Sequence, residues 1–237
     1  MNIVITGCSR GIGRALALKL AKTGHHNILG ISRNSSRLNE LSREINKPDL
    51  TSSFIAFPFE LDKLEDLQTD FLQTISKHFS QVDILVNNAG FLVNKPFGSL
   101  LKEDIRKSLA VNFTAPLLVI RSLLPFLERG SSAHVVNIGT MGAVQGSAKF
   151  PGLSAYSSSK AALATLTEVL AEEFKEKNIH FNYLALGAVQ TEMLEEAFPG
   201  YQAPLSAENM AEFITDFALN GWKYFNGKIL PVAVTTP

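Results

Sequence analysis

Met1-Asn2-Ile3-Val4-Ile5-Thr6-Gly7-Cys8-Ser9-Arg10-Gly11-Ile12-Gly13 is a β-branched run that breaks into glycines and leads directly into an amphipathic stretch. Glycines at such a junction allow a tight turn and let backbone approach a pyrophosphate, whose charge the free N–H groups and dipole of a helix N-terminus stabilise. The spacing is Gly-x-x-x-Gly-x-Gly rather than the general Gly-x-Gly-x-x-Gly fingerprint, and a turn packed only for helix–sheet contact would use the same residues. The rest of the chain repeats this strand-then-helix pattern. Strands are expected over 2–6, 27–32, 53–59, 82–87, 133–138, 179–185 and 228–232. Helices are expected over 11–24, 36–46, 64–79, 102–128, 155–177 and 207–219. Nearly continuous apolar strands such as Ile84-Leu85-Val86 read as buried on both faces. Alternation of this kind with right-handed crossovers gives an α/β fold, a doubly wound parallel sheet of about seven strands with helices on both faces. Ligands bind such sheets at the carboxyl ends of the strands, so the loops there should carry the function.

The 237 residues show no linker or composition shift, and residues 1–237 read as one domain. Lysine plus arginine total 22, as do aspartate plus glutamate, giving no electrostatic reason to expect nucleic acid or an anionic membrane as partner. Small-molecule chemistry is the default. The single cysteine, Cys8, has no internal disulfide partner, and the first residues show neither a basic n-region nor a cleavage site. The longest apolar runs fall short of a membrane span, so a cytoplasmic location is expected. No metal is expected, because the five histidines show no ligand-like spacing, and His25-His26 reads as a solvated turn.

Three further segments carry chemistry. Tyr156-Ser157-Ser158-Ser159-Lys160 puts a phenol and an ammonium at i and i+4 on one helix face, where an adjacent cation depresses a phenol pKa. Asn87-Asn88-Ala89-Gly90 follows the buried fourth strand, and its small residues permit close backbone approach. Asn112 precedes Pro116 by four positions, and a proline lacks the N–H that would bond the Asn112 carbonyl.

Thr6-Gly7-x-x-x-Gly11-x-Gly13, Asn87-Asn88-Ala89-Gly90, Asn112 and Tyr156-x-x-x-Lys160, in that order, resemble the short-chain dehydrogenase/reductase family. The resemblance implies a Rossmann-type domain, a nicotinamide dinucleotide, and hydride transfer between that cofactor and an alcohol or carbonyl carbon. It implies cofactor contacts from Gly7, Ser9, Arg10, Gly11, Ile12 and Gly13, from Asn88, Ala89 and Gly90, and from Tyr156 and Lys160. Gly187-Ala188-Val189-Gln190-Thr191 resembles the family's Pro-Gly-x-Val-x-Thr segment, with Leu186 in place of the proline, which places Gly187, Val189 and Thr191 on the nicotinamide side. Catalysis is implied for Asn112, Thr140, Tyr156 and Lys160, with a water on the Asn112 carbonyl relaying protons to Lys160. Asn137-Ile138-Gly139-Thr140 is similar to the family's Asn-Ile-Ser-Ser, so Thr140 stands where the catalytic serine is expected. Thr140 lies further from Tyr156 than that serine usually does, so the intervening loop is lengthened, and Ser147 and Ser154 are less favoured hydroxyls.

An NAD binder usually places an acid about 20 positions beyond the glycine turn. Here Ser32 and Arg33 stand there instead. Arg10 and Arg33 suit a 2′-phosphate by charge-assisted bonds, which favours NADP(H). Glu60, or else Asp62, with Leu61 beside it, resembles the family's adenine-side position. Phe91, Leu92, Val93, Phe150, Met193, Leu194 and Phe198 lie on loops expected to rim an apolar substrate space.

The expected activity is NADPH-dependent reduction of a ketone or aldehyde. The alternatives are reduction of a 3-oxoacyl thioester, for which Lys95, Lys102 and Lys149 suit a phosphopantetheine carrier, and a poorly active NADP(H)-sensing protein. Pairing through the helices at 102–128 and 155–177 into a homodimer or homotetramer is implied. Leu163, Leu166, Leu170 and Phe174 on the second would serve either core or partner.

Overall fold

The structure is a computed structural model that describes residues 1–63 and 68–234. Its strands are β1 Asn2–Thr6, β2 Asn27–Ser32, β3 Ser53–Pro58, β4 Ile84–Asn87, β5 Ala133–Thr140, β6 Ile179–Leu186, β7 Val189–Gln190, β8 Leu205–Ser206 and β9 Lys228–Val232. The helices are α1 Gly11–Ala21, α2 Ser35–Ile45, α3 Gln68–His78, α4 Lys102–Leu109, α5 Ala115–Leu127, α6 Ser154–Glu173, α7 Glu192–Ala197 and α8 Ala207–Asn220. Seven strands form one parallel sheet in the order β3-β2-β1-β4-β5-β6-β9.

Successive residues of β1 serve opposite faces, as the pleat requires. Ile3 and Ile5 pack with Leu16 and Leu20 of α1 and Ile214 of α8, whereas Val4 packs with Phe71 of α3 and Val119 and Leu123 of α5. All nine are sealed from solvent. Burying each such side chain contributes about 1.5–3 kcal/mol, which is why these strands read as unbroken apolar runs. The chain winds from β1 outward to β3, then returns to β4 on the other side of β1. That reversal opens a crevice at the carboxyl ends of β1 and β4.

Several expected boundaries shift. The strands expected to end at 138 and 185 run on to Thr140 and Leu186, pairing residue for residue to the rim of the crevice. The helix expected over 64–79 is seen over Gln68–His78, and its expected start at 64–67 lies outside the described residues. The first helix stops at Ala21, where the Lys22 and Thr23 N–H groups turn back to Lys19 and Leu20 carbonyls. The helix expected over 155–177 spans Ser154–Glu173 instead. His26 is buried, with its N–H on Ser52 Oγ at 3.1 Å, rather than a solvated turn residue.

The stretch expected as one helix over 102–128 is α4 and α5 joined by a π-helical turn at Ala110–Thr114. The Ala115 N–H reaches back five residues to the Ala110 carbonyl. A proline at 116 lacks an N–H and its ring crowds the carbonyl four residues back, and a widened turn accommodates both. Among the described residues this is the helical run long and apolar enough to cross a membrane, but Leu118, Val119, Leu123 and Leu127 are buried against the sheet. Two elements had no counterpart in the sequence reading: the two-stranded ribbon β7–β8 and the short helix α7 between them.

Candidate active site

Three loops meet at the crevice because their polar groups bond one another. Thr6 Oγ1 accepts from the Asn88 and Ala89 N–H groups, both at 3.1 Å, and Asn88 Nδ2 donates to the Thr6 and Gly7 carbonyls at 3.1 and 3.0 Å. Gly7 has φ of +72°, and a Cβ on it would stand 2.7 Å from Ala89 Cα. Only glycine fits that turn. Gly13 lies behind it, since a Cβ there would stand 2.4 Å from the Gly7 carbonyl oxygen. Arg10 is the N-cap of α1 yet gives no side-chain cap, which leaves the first-turn N–H groups of the helix without a side-chain acceptor.

From this floor a cavity of about 560 Å³ extends along the strand ends. One half is lined by Gly7, Ser9, Arg10, Gly11, Ile12, Ser32, Arg33, Leu61, Asp62, Asn88, Ala89 and Gly90. Ser32 Oγ donates to Ser9 Oγ at 2.7 Å, tying β2 to the glycine turn. Glu60 is not part of the lining. Its carboxylate bonds Lys63 at 2.6 Å, and of the two acids only the neighbouring Asp62 lies at the cavity wall. Arg33 is exposed at the rim, while Arg10 is paired through both nitrogens with Glu196 of α7, at 2.5 and 3.1 Å.

The other half holds Thr140, Tyr156, Lys160, Gly187, Val189 and Thr191. Lys160 is buried, and its Nζ donates to the Ile138 carbonyl at 2.8 Å. Burial lowers the ammonium to about 8 and raises the Tyr156 phenol to about 12. The sequence reading expected the cation to depress the phenol. Here both groups are governed by the apolar walls around them, and the ammonium is bonded to a backbone carbonyl.

Thr140 ends β5 and caps the following turn, its Oγ1 accepting from the Gly142 N–H at 3.3 Å. Ser147 bonds the Met141 and Val144 carbonyls within its own loop, and Ser154 is exposed at the start of α6. Neither lines the cavity. The lengthened loop folds on itself through Lys149, whose Nζ bonds the Val144 carbonyl, and is fastened where the Lys95 N–H meets the Gly152 carbonyl at 3.0 Å.

Asn112, in the π-helical turn, lies behind the wall rather than on it. Its Nδ2 donates to the Phe91 carbonyl and to Ser159 Oγ at 2.8 and 3.0 Å, and its Oδ1 accepts from the Phe91 N–H at 2.8 Å. A Cβ on Gly90 would lie 3.6 Å from that oxygen and 3.8 Å from Lys160 Nζ, so Asn112, Gly90 and Lys160 are immediate neighbours.

Of the apolar residues expected on loops, Phe91, Leu92, Phe150 and Phe198 line the cavity, as do Met193 and Leu194, which belong to α7 rather than a loop, whereas Val93 is buried outside it. Tyr201 and Lys107 line it as well, and the sequence reading missed both. Lys107 sits 4.8 Å from the Phe91 ring centre. Lys95, Lys102 and Lys149 do not line it, and Lys95 is bound to Asp104 at 2.7 Å.

Residues 1–202 match the family model described as short chain dehydrogenase, and the chain belongs to that family. It is an oxidoreductase of a class that works with nicotinamide cofactors. An uncharacterized oxidoreductase of Staphylococcus epidermidis is 30% identical over 212 residues, covering 89% of this chain and 87% of that protein. A 3-oxoacyl-(acyl-carrier-protein) reductase of Synechocystis is 28% identical, covering 89% and 80%. A solved 3-ketoacyl-(acyl-carrier-protein) reductase from Brucella melitensis, complexed with NADH, superposes with a TM-score of 0.83 at 24% identity, covering 98% of this chain and 96% of that one.

The cavity fits a dinucleotide on its own terms. Its size lies in the usual range for small-molecule sites, about 300–1,000 Å³. A glycine turn with uncapped helix N–H groups forms its floor, and the small residues Asn88-Ala89-Gly90 form a wall that backbone can approach.

Proposed function

We propose that this protein is an NADPH-dependent carbonyl reductase, acting on a ketone or aldehyde. The observation that carries the reading is the single cavity that joins a glycine turn and two arginines at one end to Tyr156, Lys160 and Thr140 at the other. The glycine turn would hold NADPH, which would supply hydride chemistry for the carbonyl carbon. The chain does the rest.

Tyr156 gives its phenolic proton to the carbonyl oxygen as charge develops there. A phenol raised to about 12 stays protonated at neutral pH, which suits a proton donor for reduction. Thr140 Oγ1 donates a second hydrogen bond to the same oxygen. The Lys160 ammonium stabilises the phenolate left behind, and its neighbours Asn112 and Ser159 fix the wall beside it. The Asn112 carbonyl, which has no N–H to accept from at Pro116, is a suitable seat for the water that returns a proton through Lys160. Arg10 and Arg33, with no acid at Ser32, support the 2′-phosphate form of the cofactor. Asp62 rather than Glu60 is the residue for the adenine side. Phe91, Phe150, Met193 and Phe198 support an apolar substrate.

The second reading is reduction of a 3-oxoacyl thioester, favoured by the Synechocystis relative. It loses support from Lys95, Lys102 and Lys149, none of which reaches the cavity. The test follows NADPH oxidation at its absorbance band against aromatic diketones, quinones, aldehydes and a 3-oxoacyl thioester. Turnover of the first three classes is expected. Preference for the thioester would move the assignment to the second reading, and tight NADPH binding without any turnover would favour an NADP(H)-sensing role.

A further inference from the structure

Gly139 closes the buried run of β5, one residue before the strand ends, where a glycine weakens a strand unless something must come close. Tyr183 of β6 comes close. A Cβ on Gly139 would stand 1.7 Å from Tyr183 Cζ and 1.8 Å from its hydroxyl oxygen, so the phenol fills the place a side chain at 139 would take. Tyr183 pairs with Asn137 in the sheet register and leans two residues toward the crevice to reach this point. Its side chain is completely buried, packed with Met141 and with Leu163 and Ala164 of α6, one turn beyond Lys160.

The phenolic oxygen accepts the Thr140 backbone N–H at 3.1 Å. Residue 140 is the last of the strand, so β6 offers its ladder only to one side, and the turn at Met141–Ala143 begins at once. The bond from Tyr183 therefore fixes the backbone from which the Thr140 hydroxyl is aimed. β-branched Thr140 has few χ1 choices, so a fixed backbone largely fixes its Oγ1.

We propose that Tyr183 is a positioning residue: paired with Gly139, it holds Thr140 so that its hydroxyl faces the cavity beside Tyr156. The inference rests on the carbonyl-reductase reading for its effect on turnover, but its geometric content is independent of that reading. The Gly139–Tyr183 exchange gives this chain a hydroxyl delivered from the neighbouring strand, with no room for a side chain at 139.

Tyr183→Phe keeps the ring that fills the space and removes only the hydroxyl. With a carbonyl that the wild type reduces, kcat is expected to fall by about tenfold, the loss of one aligning hydrogen bond, while KM and NADPH affinity stay near wild type. In a Thr140→Ala background the same change is expected to have no further effect on kcat, because no hydroxyl is left to aim. A purely structural role would lower both backgrounds alike, and that result would overturn the proposal. Amide exchange supplies a readout without turnover: in Tyr183→Phe the Thr140 N–H should exchange at least tenfold faster, with Val135 and Val136 unchanged. An unchanged Thr140 rate would also overturn it. If the wild type reduces no carbonyl, the functional reading falls while the exchange measurement still decides the role of Tyr183.

Discussion

Asn112 closes a two-way clamp on Phe91, accepting its N–H and donating to its carbonyl, both at 2.8 Å. The side chain thus does for the loop after β4 what a neighbouring strand would do, and Ser159 takes the remaining amide hydrogen. Asn112→Leu keeps the volume but leaves these groups unpaired. A loss of about 2–4 kcal/mol in urea unfolding is expected, because orphaned partners lose more than the bonds themselves are worth. Wild-type stability in this variant would show that the clamp is dispensable.

Arg10 and Glu196 make a second long-range link, between the glycine turn and α7, with both side chains substantially exposed. Such a pair is worth about 0–1 kcal/mol, so a bound phosphate can displace the carboxylate. Glu196→Gln should tighten NADPH by less than about fivefold and leave NADH unaltered. Arg33→Asp should weaken NADPH far more than NADH. Equal changes for the two cofactors in fluorescence titrations would remove the 2′-phosphate assignment.

Thr140→Ala tests the hydroxyl itself. Removing a donor to a developing oxyanion lowers kcat by about 10²–10³-fold at well-formed sites, and a smaller loss is expected where Tyr156 already donates. NADPH affinity should be nearly intact. Unchanged turnover would leave Tyr156 as the one donor, since Ser147 and Ser154 stand outside the cavity.

Lys160 carries a pH signature. Its ammonium is lowered from 10.5 to about 8 by burial, so below pH 8 the folded chain bears the full cost of an enclosed charge. As pH rises from 8 toward 10.5 the folded state releases this proton before the unfolded state does, and the cost is relieved. Relative to Lys160→Met, the wild type should therefore gain on the order of 2 kcal/mol between pH 7 and 10. A stability difference that is flat over that range would show that Lys160 titrates near its ordinary value.

The parallel sheet was legible because strands such as Ile84-Leu85-Val86 are apolar on both faces, and the glycine turn because its residues sit at a strand–helix junction. The site was less so. The π-helical turn arises from backbone rearrangement around Pro116, for which hydrophobic periodicity has no signal. The ribbon β7–β8 has two residues per strand, too few to show alternation, and with α7 it brings Glu196 to Arg10 across 186 positions of chain. Glu60 and Asp62 are both exposed acids near the end of β3, and what separates them, the pairing of Glu60 with Lys63 and the place of Asp62 at the cavity wall, belongs to the folded chain. The phenol's environment was misread because the sequence showed Lys160 beside Tyr156 but not the walls around both. Gly139 did carry a readable signal, as a strand glycine that marks close approach, but nothing in the sequence named Tyr183 as what approaches.

Self-association through α4 and α6 makes the last prediction. Leu163, Leu166, Leu170 and Phe174, which at helical spacing suited either core or partner, all pack into the core clusters. The outward apolar side chains of these helices are instead Ile105, Leu109 and Val169, the last 53% exposed. Exposed apolar side chains gathered on two packed helices are surface that a second copy would cover. Light scattering at micromolar concentration should give a mass of twice or four times 25.9 kDa. Val169→Glu should shift it toward the single-chain value, because a carboxylate enclosed there has no partner. A monomer in the wild type would reject the pairing, and a variant that still associates would move the interface to another face.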